Sequence, residues 1–228
     1  MDTQKWYCDP EWITIIIAFF STLFLGFIAI FQNWIRSWFR KPKLKISIKK
    51  EPPDCHKAVF RNQKTGEYIC DSYYFRFKVE NVGNYQMENV EAMAIEIEQK
   101  NSSGQYEKKK DFLPMNLVWS YYRSIPMSVI QPKLFKHCDL GHILKSEYAD
   151  LERFGKTRSS NVVFLLDVAK ETFIGAHILE PGDYKIKIKV ASNNLKPKTK
   201  VYNLVLKDEW LDDEITMFAR NIVIREIS

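Results

Sequence analysis

The sequence is poor in glycine and proline, with 8 and 9 of these residues among 228, and it contains only four cysteines. This composition excludes collagen-like and linker-like chains, and the 46% of hydrophobic residues excludes a disordered polymer. Three cysteines, at positions 55, 70 and 138, follow the first 50 residues. An odd number at uneven spacing is a poor disulfide framework, and it is typical of a reducing compartment.

The chain also lacks the sequence signatures of common enzymes. It contains no G-x-S-x-G, no H-E-x-x-H and no glycine-rich dinucleotide turn. Residues 137–142 could contribute zinc ligands together with Cys55 and His56, but no C-x₂-C pair accompanies them, and we interpret this segment as a turn after a strand. We therefore expect no catalytic residues, no metal site and no cofactor.

One long uncharged run, residues 12–31, differs from the rest of the chain. Twenty helical residues span about 30 Å, which is the thickness of the hydrocarbon layer of a bilayer. Tryptophans at positions 12, 34 and 38 flank the run, as expected at the boundary between lipid and water. The run predicts a retained transmembrane helix with an interfacial extension over residues 12–40, preceded by a short extracytoplasmic tail, residues 1–11.

Basic residues are concentrated on one side of this run. Residues 36–50 contain seven lysines and arginines and no acidic residue, whereas only Lys5 precedes the run. Because basic residues beside a span stay on the cytoplasmic side, we expect a cell-membrane protein whose N-terminus is outside and whose C-terminal domain is cytoplasmic. The residues expected at the membrane interface are Trp12, Trp34, Arg36, Trp38, Arg40, Lys41, Lys43 and Lys45.

The charge of the remaining chain is nearly balanced. Beyond residue 50 there are 26 basic and 25 acidic residues, so the excess positive charge belongs to the neck, residues 41–50, and its surroundings. A nucleic-acid-binding domain would carry that excess on its folded surface. We therefore expect anionic lipid headgroups rather than nucleic acid to be the partner of the basic residues.

The apolar run contains a stripe of small side chains. Ala18, Thr22 and Gly26 lie at successive i+4 positions, and small residues on one face allow two membrane helices to approach closely. This spacing predicts a homo-oligomer that associates through the transmembrane helix. Gly, Ala, Ser and Thr are also common in such helices without any association, so ordinary composition remains an alternative.

The rest of the chain has the period-two pattern of half-buried antiparallel strands. About nine strand candidates are separated by turns rich in Asn, Gly, Pro and Ser, which favours a β-sandwich over residues 51–228. The candidates are residues 43–49, 58–61, 73–80, 90–99, 116–120, 162–168, 184–190, 201–207 and 222–226. Helical spacing appears only in residues 145–153 and 208–219, where Trp210, Leu211, Ile215 and Phe218 predict an apolar stripe.

Two passages resemble immunoglobulin-like domains of the CARDB type. Residues 77–84, which contain the turn Asn81-Val82-Gly83-Asn84 and lead into residues 87–92, resemble a strand, an N-x-G turn and a returning strand of that family. Residues 179–186, which contain Pro181-Gly182-Asp183-Tyr184, are similar to its P-G-x-Y turn before a late strand. The resemblance implies an immunoglobulin-like sandwich used for binding or spacing, and it transfers no functional residue.

Residues 112–123 are dense in the residue types favoured at recognition surfaces. Leu117 and Trp119 fit the inward positions of a strand, so we predict that Tyr121, Tyr122 and Arg123 contact a partner. The resulting hypothesis is a mainly β, single-pass membrane-anchored protein without catalytic activity, which binds an unidentified protein or small ligand. One alternative is a ligand-sensing effector whose associated helices perturb the bilayer. A second, for the opposite topology, is an envelope adhesion or assembly factor.

Overall fold

A computed structural model describes residues 10–62, 64–122 and 125–227, with the backbone alone at positions 10, 33 and 35–38. The chain divides into two compact units between Lys41 and Pro42. The first unit contains a single long helix, α1, Pro10–Phe39. Within α1, the segment Glu11–Gln32 is long and apolar enough to cross a membrane, and none of it is buried inside the protein.

The second unit is built from antiparallel strands, joined by turns and a few short helical turns. In the described part of the chain the strands are β1 Leu44–Ser47, β2 Cys55–Arg61, β3 Tyr68–Asn81, β4 Met87–Lys100, β5 Tyr106–Lys108, β6 Met115–Asn116, β7 Met127–Ile130, β8 Phe135–Lys145, β9 Val162–Leu166, β10 Ile178–Leu179, β11 Gly182–Ser192, β12 Leu195–Leu206 and β13 Ile222–Ile227. The predicted mainly β fold with an N-terminal apolar helix is confirmed.

The strands form two sheets. The first has the order β1–β3–β8–β9–β10, and β2 pairs with the other half of β3. The second has the order β13–β12–β11–β4–β5, and the short strands β6 and β7 also pair with β4. Because β3 and β4 each have 14 residues, each is long enough to pair with different short strands along its length.

The two sheets enclose one hydrophobic core. Alternate residues of β3, including Phe75 and Phe77, point inward and are fully buried. Tyr184 of β11 and Tyr202 of β12 join the same buried cluster from the second sheet. Alternation places every second side chain of a strand on one face, so the intervening residues of β3 form the outer face of the first sheet.

The sequence-based predictions for residues 137–142 and 145–153 are wrong in detail. Residues 137–142 are not a turn, because they lie inside β8, which pairs with both β3 and β9 in the first sheet. The predicted helix over residues 145–153 is reduced to two 3₁₀ turns, Ser146–Tyr148 and Glu152–Phe154.

The second predicted helix, over residues 208–219, is also shorter than expected. Only Glu214–Thr216 and Met217–Asn221 form helical turns in this region. Trp210, Leu211 and Phe218 pack against the core as predicted, but Ile215 is 80% exposed and does not belong to the apolar stripe. A helix of two short turns cannot hold four apolar side chains on one face.

Candidate functional site

The outer face of the first sheet carries a continuous set of aromatic and charged side chains. Tyr74 and Arg76 of β3 lie opposite His142 and Asp139 of β8. A bulge between these two pairs inserts Leu140, whose side chain is fully buried. The bulge lets both polar residues of β8 face outward although they are three positions apart, which regular alternation would not allow.

Gly141 makes this part of the sheet possible. A Cβ atom at position 141 would lie 2.3 Å from the carbonyl oxygen of Leu165 and 2.7 Å from the ring of Phe164. No other residue type fits between β8 and β9 without moving the backbone. Gly141 therefore sets the close approach of the two strands directly beside His142.

Four rings are stacked across the outer face. The ring of Tyr74 lies 5.1 Å from that of His142 and 6.2 Å from that of His56. The ring of Phe60 also stacks with that of His142, with 5.8 Å between the ring centres. Such stacking holds the imidazole of His142 in a fixed plane.

Arg76 is the charged centre of the face. Its Nε donates to Oδ1 of Asp139 at 2.9 Å, and its guanidinium lies 5.4 Å from the Tyr74 ring and 5.3 Å from the Tyr121 ring. Ser120 also donates its hydroxyl to the same carboxylate. Burial raises the pKa of Asp139, although the bonds from Ser120 and Arg76 act in the opposite direction.

Tyr121 is held over Arg76 in a strained backbone conformation. Its φ angle is 70°, in the left-handed region that residues with a Cβ disfavour. The residues before it are fixed, because the Trp119 side chain is fully buried and its indole nitrogen donates to the carbonyl of Ile125 at 3.0 Å. A strained residue persists where its surroundings impose it, and such residues cluster at binding sites.

A cavity of about 600 Å³ opens on this face, and we call it the outer cleft. Its polar lining consists of Tyr74, Arg76, Tyr121, Asp139, His142, Asp167, Glu171 and His177. The volume lies within the range typical of sites for small molecules. Apolar side chains of β9 and the residues that follow it complete the wall.

Three buried polar atoms in the outer cleft lack hydrogen-bond partners among the described residues. Oδ1 of Asp167 lies 2.9 Å from Nδ1 of His142, but the buried Oδ2 of Asp167 has no partner. His177 is 1% exposed, and neither of its ring nitrogens is hydrogen-bonded. Burial lowers the pKa of His177 and so favours the neutral imidazole. Unpaired buried polar atoms are rare in folded proteins, and they require an explanation.

The predicted partner-binding residues are only partly placed at this site. Tyr121 lines the outer cleft, whereas Tyr122 is exposed beside it, with its hydroxyl 3.1 Å from Nζ of Lys136. Arg123 lies outside the described residues. Leu117 and Trp119 are fully buried, as their strand-like spacing predicts.

The predicted membrane residues belong to the first unit and to the start of the second. Trp12, Trp34, Arg40, Lys41, Lys43 and Lys45 have exposed side chains, while the side chains of Arg36 and Trp38 lie outside the description. Ala18, Thr22 and Gly26 are exposed on α1, and the Thr22 hydroxyl donates to the carbonyl of Ala18 at 2.8 Å. None of these residues lines the outer cleft.

Apart from Tyr121, the polar residues of the outer cleft were not among the predicted site residues, for identifiable reasons. The alternation of residues 73–80 already placed Tyr74 and Arg76 on one face. Asp139 and His142 were hidden because the segment containing them was interpreted as a turn. Asp167 and His177 lie beyond the ends of strands, and no local pattern indicates that they meet.

The outer cleft contains two imidazoles, His142 and His177, and three carboxylates, Asp139, Asp167 and Glu171. In the described part of the chain, no group of three or more His, Cys, Asp or Glu side chains is arranged to hold a metal ion. The imidazole of His142 is paired with a carboxylate, and that of His177 contacts the Phe154 ring edge-on, so neither is bonded to a serine or cysteine that it could activate. No protein-family model matches the chain, and no curated protein is significantly similar to it.

Proposed function

We propose that this protein is a non-enzymatic binding protein, anchored to the cell membrane by α1, whose cytoplasmic β-sandwich holds a ligand or partner in the outer cleft. The outer cleft carries this proposal. It combines a preformed cavity, stacked rings, and buried polar atoms that no described residue satisfies. A ligand bound in this cavity would supply the missing contacts.

The anchoring part of the proposal is supported by the length and exposure of α1. The segment Glu11–Gln32 presents apolar side chains on all sides, and water would not stabilise such a surface. The orientation is supported by the seven basic residues at positions 36–50 against Lys5 alone before the helix. Arg40, Lys41, Lys43 and Lys45 are exposed and would contact anionic headgroups.

Protease protection tests the orientation. A C-terminal tag on the full-length chain should be protected in intact cells or spheroplasts and digested after the membrane is lysed. As a control, a tag before residue 1 should show the opposite sensitivity. A C-terminal tag that is cut in intact cells would contradict a cytoplasmic domain and would favour an envelope adhesion or assembly role.

Site-specific photo-crosslinking tests the use of the outer cleft. A benzophenone amino acid at position 121 should form adducts in cells, because Tyr121 lines the cleft and is 87% exposed. The matched control is position 68, where Tyr68 is 59% exposed at the start of the same strand as Arg76. Equal adducts at both positions, or adducts at 121 that persist unchanged when Arg76→Ala removes the centre of the cleft, would contradict the proposal.

A further inference from the structure

The unpaired polar atoms of the outer cleft indicate which hydrogen-bond donors and acceptors a ligand would need. Oδ2 of Asp167 is a buried carboxylate oxygen, and an ionised carboxylate can only accept hydrogen bonds. A ligand that satisfies this atom would bring a hydrogen-bond donor to it. His177 has one donor and one acceptor nitrogen in its neutral form, and both are unpaired among the described residues.

The charges of the lining favour a positive ligand over a negative one. Asp139, Asp167 and Glu171 line the outer cleft, against the single guanidinium of Arg76. Arg76 is already bonded to Asp139, and Glu171 is paired with Arg153 at 3.1 Å. Asp167, by contrast, is paired with the imidazole of His142 and not with a lysine or arginine.

The rings around the outer cleft also suit a cation. Tyr74 and Tyr121 present their faces to a guanidinium already, since Arg76 lies between 5 and 6 Å from both ring centres. Aromatic faces attract positive charge through their quadrupole. An anionic phosphate or carboxylate would instead meet carboxylates on the β8 and β9 sides of the cleft.

We propose that the outer cleft binds an organic cation with N–H donors, either a primary ammonium or a guanidinium group, which donates to Oδ2 of Asp167 and contacts His177. This inference depends on the proposed function, since it names the ligand class of the same site. The cation has two sources with one chemistry: a free amine, or a lysine or arginine side chain of a protein partner.

Calorimetry on the full-length protein tests the proposal. The protein is placed in nanodiscs of zwitterionic phosphatidylcholine and titrated in phosphate buffer, which contains no amine. The free probe is agmatine, which has both a guanidinium and an ammonium group. Tetramethylammonium is the control without N–H donors, and its single positive charge matches that of the blocked peptide described next. A blocked Gly-Arg-Gly peptide represents a side chain of a partner.

We expect agmatine or the blocked peptide to bind at least tenfold more tightly than tetramethylammonium. Asp167→Asn should weaken that binding at least tenfold, because it removes the charge and turns one acceptor into a donor. The matched control Asp111→Asn changes a half-exposed carboxylate paired with Lys109 outside the cleft, and it should have no effect. Tighter binding of the peptide identifies a protein side chain as the source.

A second variant keeps the test decisive if Asp167→Asn fails to fold. Tyr121 is 87% exposed and strained, so Tyr121→Ala should leave the fold intact and weaken binding of the cation severalfold. The proposal is overturned if tetramethylammonium binds as well as the N–H donors, or if neither variant changes affinity. If no cation binds while cleft-dependent adducts at position 121 persist, the ligand class is wrong but the binding function stands. If no cation binds and no cleft-dependent adduct forms at position 121, both the ligand class and the binding function are wrong.

Discussion

Individual side chains join neighbouring strands within a sheet, in addition to forming the outer cleft. Glu96 of β4 illustrates this on the second sheet, where it lies opposite Lys187 of β11 and accepts a hydrogen bond from Lys108 of β5 at 2.6 Å. A second bond comes from Lys187. The bond from Lys108, followed by that from Lys187, lowers the pKa of Glu96 to about 2. One carboxylate thus joins three strands.

This arrangement predicts a pH-dependent contribution to stability. A carboxylate with a lowered pKa stabilises the fold above its unfolded pKa, and this contribution is lost as the pH falls through the folded value. Glu96→Gln should lower the free energy of unfolding at pH 7 by about 1 kcal/mol or less, since the group is partly exposed and screened. The difference should shrink between about pH 4.5 and pH 2. Urea unfolding over this range measures it, with Glu91→Gln on the same strand as control.

Gly141 gives a second prediction at the scale of one residue. Gly141→Ala would place a methyl group against the carbonyl of Leu165 and the ring of Phe164, both of which are fixed in β9. We expect a loss of about 1–3 kcal/mol in unfolding free energy, as for other overpacked sites. Denaturant unfolding of the two proteins measures the change. A difference below about 0.5 kcal/mol, the usual scatter at surface positions, would show that β8 and β9 separate easily.

The outer cleft also shows which residues could be predicted from sequence. Tyr74 and Arg76 follow from strict alternation in β3. In β8 the bulge inserts Leu140 after Asp139, so the alternation of inward and outward residues is interrupted before Gly141 and His142. A search for period-two alternation therefore does not identify β8 as a strand. Asp167 and His177 are brought near each other by the pairing of β9 with β10, where the backbone N–H of Leu166 donates to the carbonyl of His177 at 2.9 Å, and no pattern within either segment indicates this pairing.

Single elements differ in how strongly their sequences specify them. The long apolar run gave α1 with nearly the expected bounds, because twenty uncharged residues permit few alternatives. The segments at 145–153 and 208–219 did not form the expected helices. Short amphipathic segments gain little from helix formation by themselves, so contacts with the sandwich decide their conformation.

The small-residue stripe of α1 yields a prediction for the whole element. No described atom lies within 4 Å of a Cβ built at Gly26, so a larger side chain is tolerated within one copy of the chain. Gly26→Ile should nevertheless weaken helix association roughly tenfold if the helices pack through Ala18, Thr22 and Gly26. Energy transfer between labelled copies in mild detergent measures this. Leu25→Ile keeps the volume of its side chain and should have no effect, and equal losses in both variants would refute the packing face.

For the whole molecule, the alternation of nine segments was sufficient to predict a two-sheet antiparallel sandwich. The short strands β5, β7 and β10 were not predicted, since two to four residues carry no readable period. They complete sheet edges that longer strands have already determined. The 11-residue strand β8, which lies between β3 and β9, was missed as well, because its bulge breaks the period of two. The architecture is therefore set by the long alternating strands, whereas the site depends on irregular backbone between them.

The folded domain as a whole should protect its thiols. Cys55, Cys70 and Cys138 are buried and free, and burial raises the pKa of each, that of Cys55 to about 12. Only the thiolate reacts rapidly with alkylating reagents. In a Cys8→Ser variant at pH 8, we expect no iodoacetamide adduct in the folded protein and three adducts in denaturant, counted by mass spectrometry. Rapid labelling before unfolding would show that the core opens locally.

The position of β1 has a mechanical consequence. The chain passes from α1 into the sandwich at β1, whose four residues pair with β3 from Leu44 opposite Asn81 to Ser47 opposite Lys78. Arg76 lies on β3 just beyond the Ser47 end of this pairing. In the proposed function, tension between a ligand at Arg76 and the membrane anchor would enter the sandwich at Leu44 and act along the strands, at right angles to their hydrogen bonds. All the hydrogen bonds between β1 and β3 would then be loaded at the same time, in shear. Separating β1 from β3 in this geometry requires a larger force than breaking the same bonds one after another from one end.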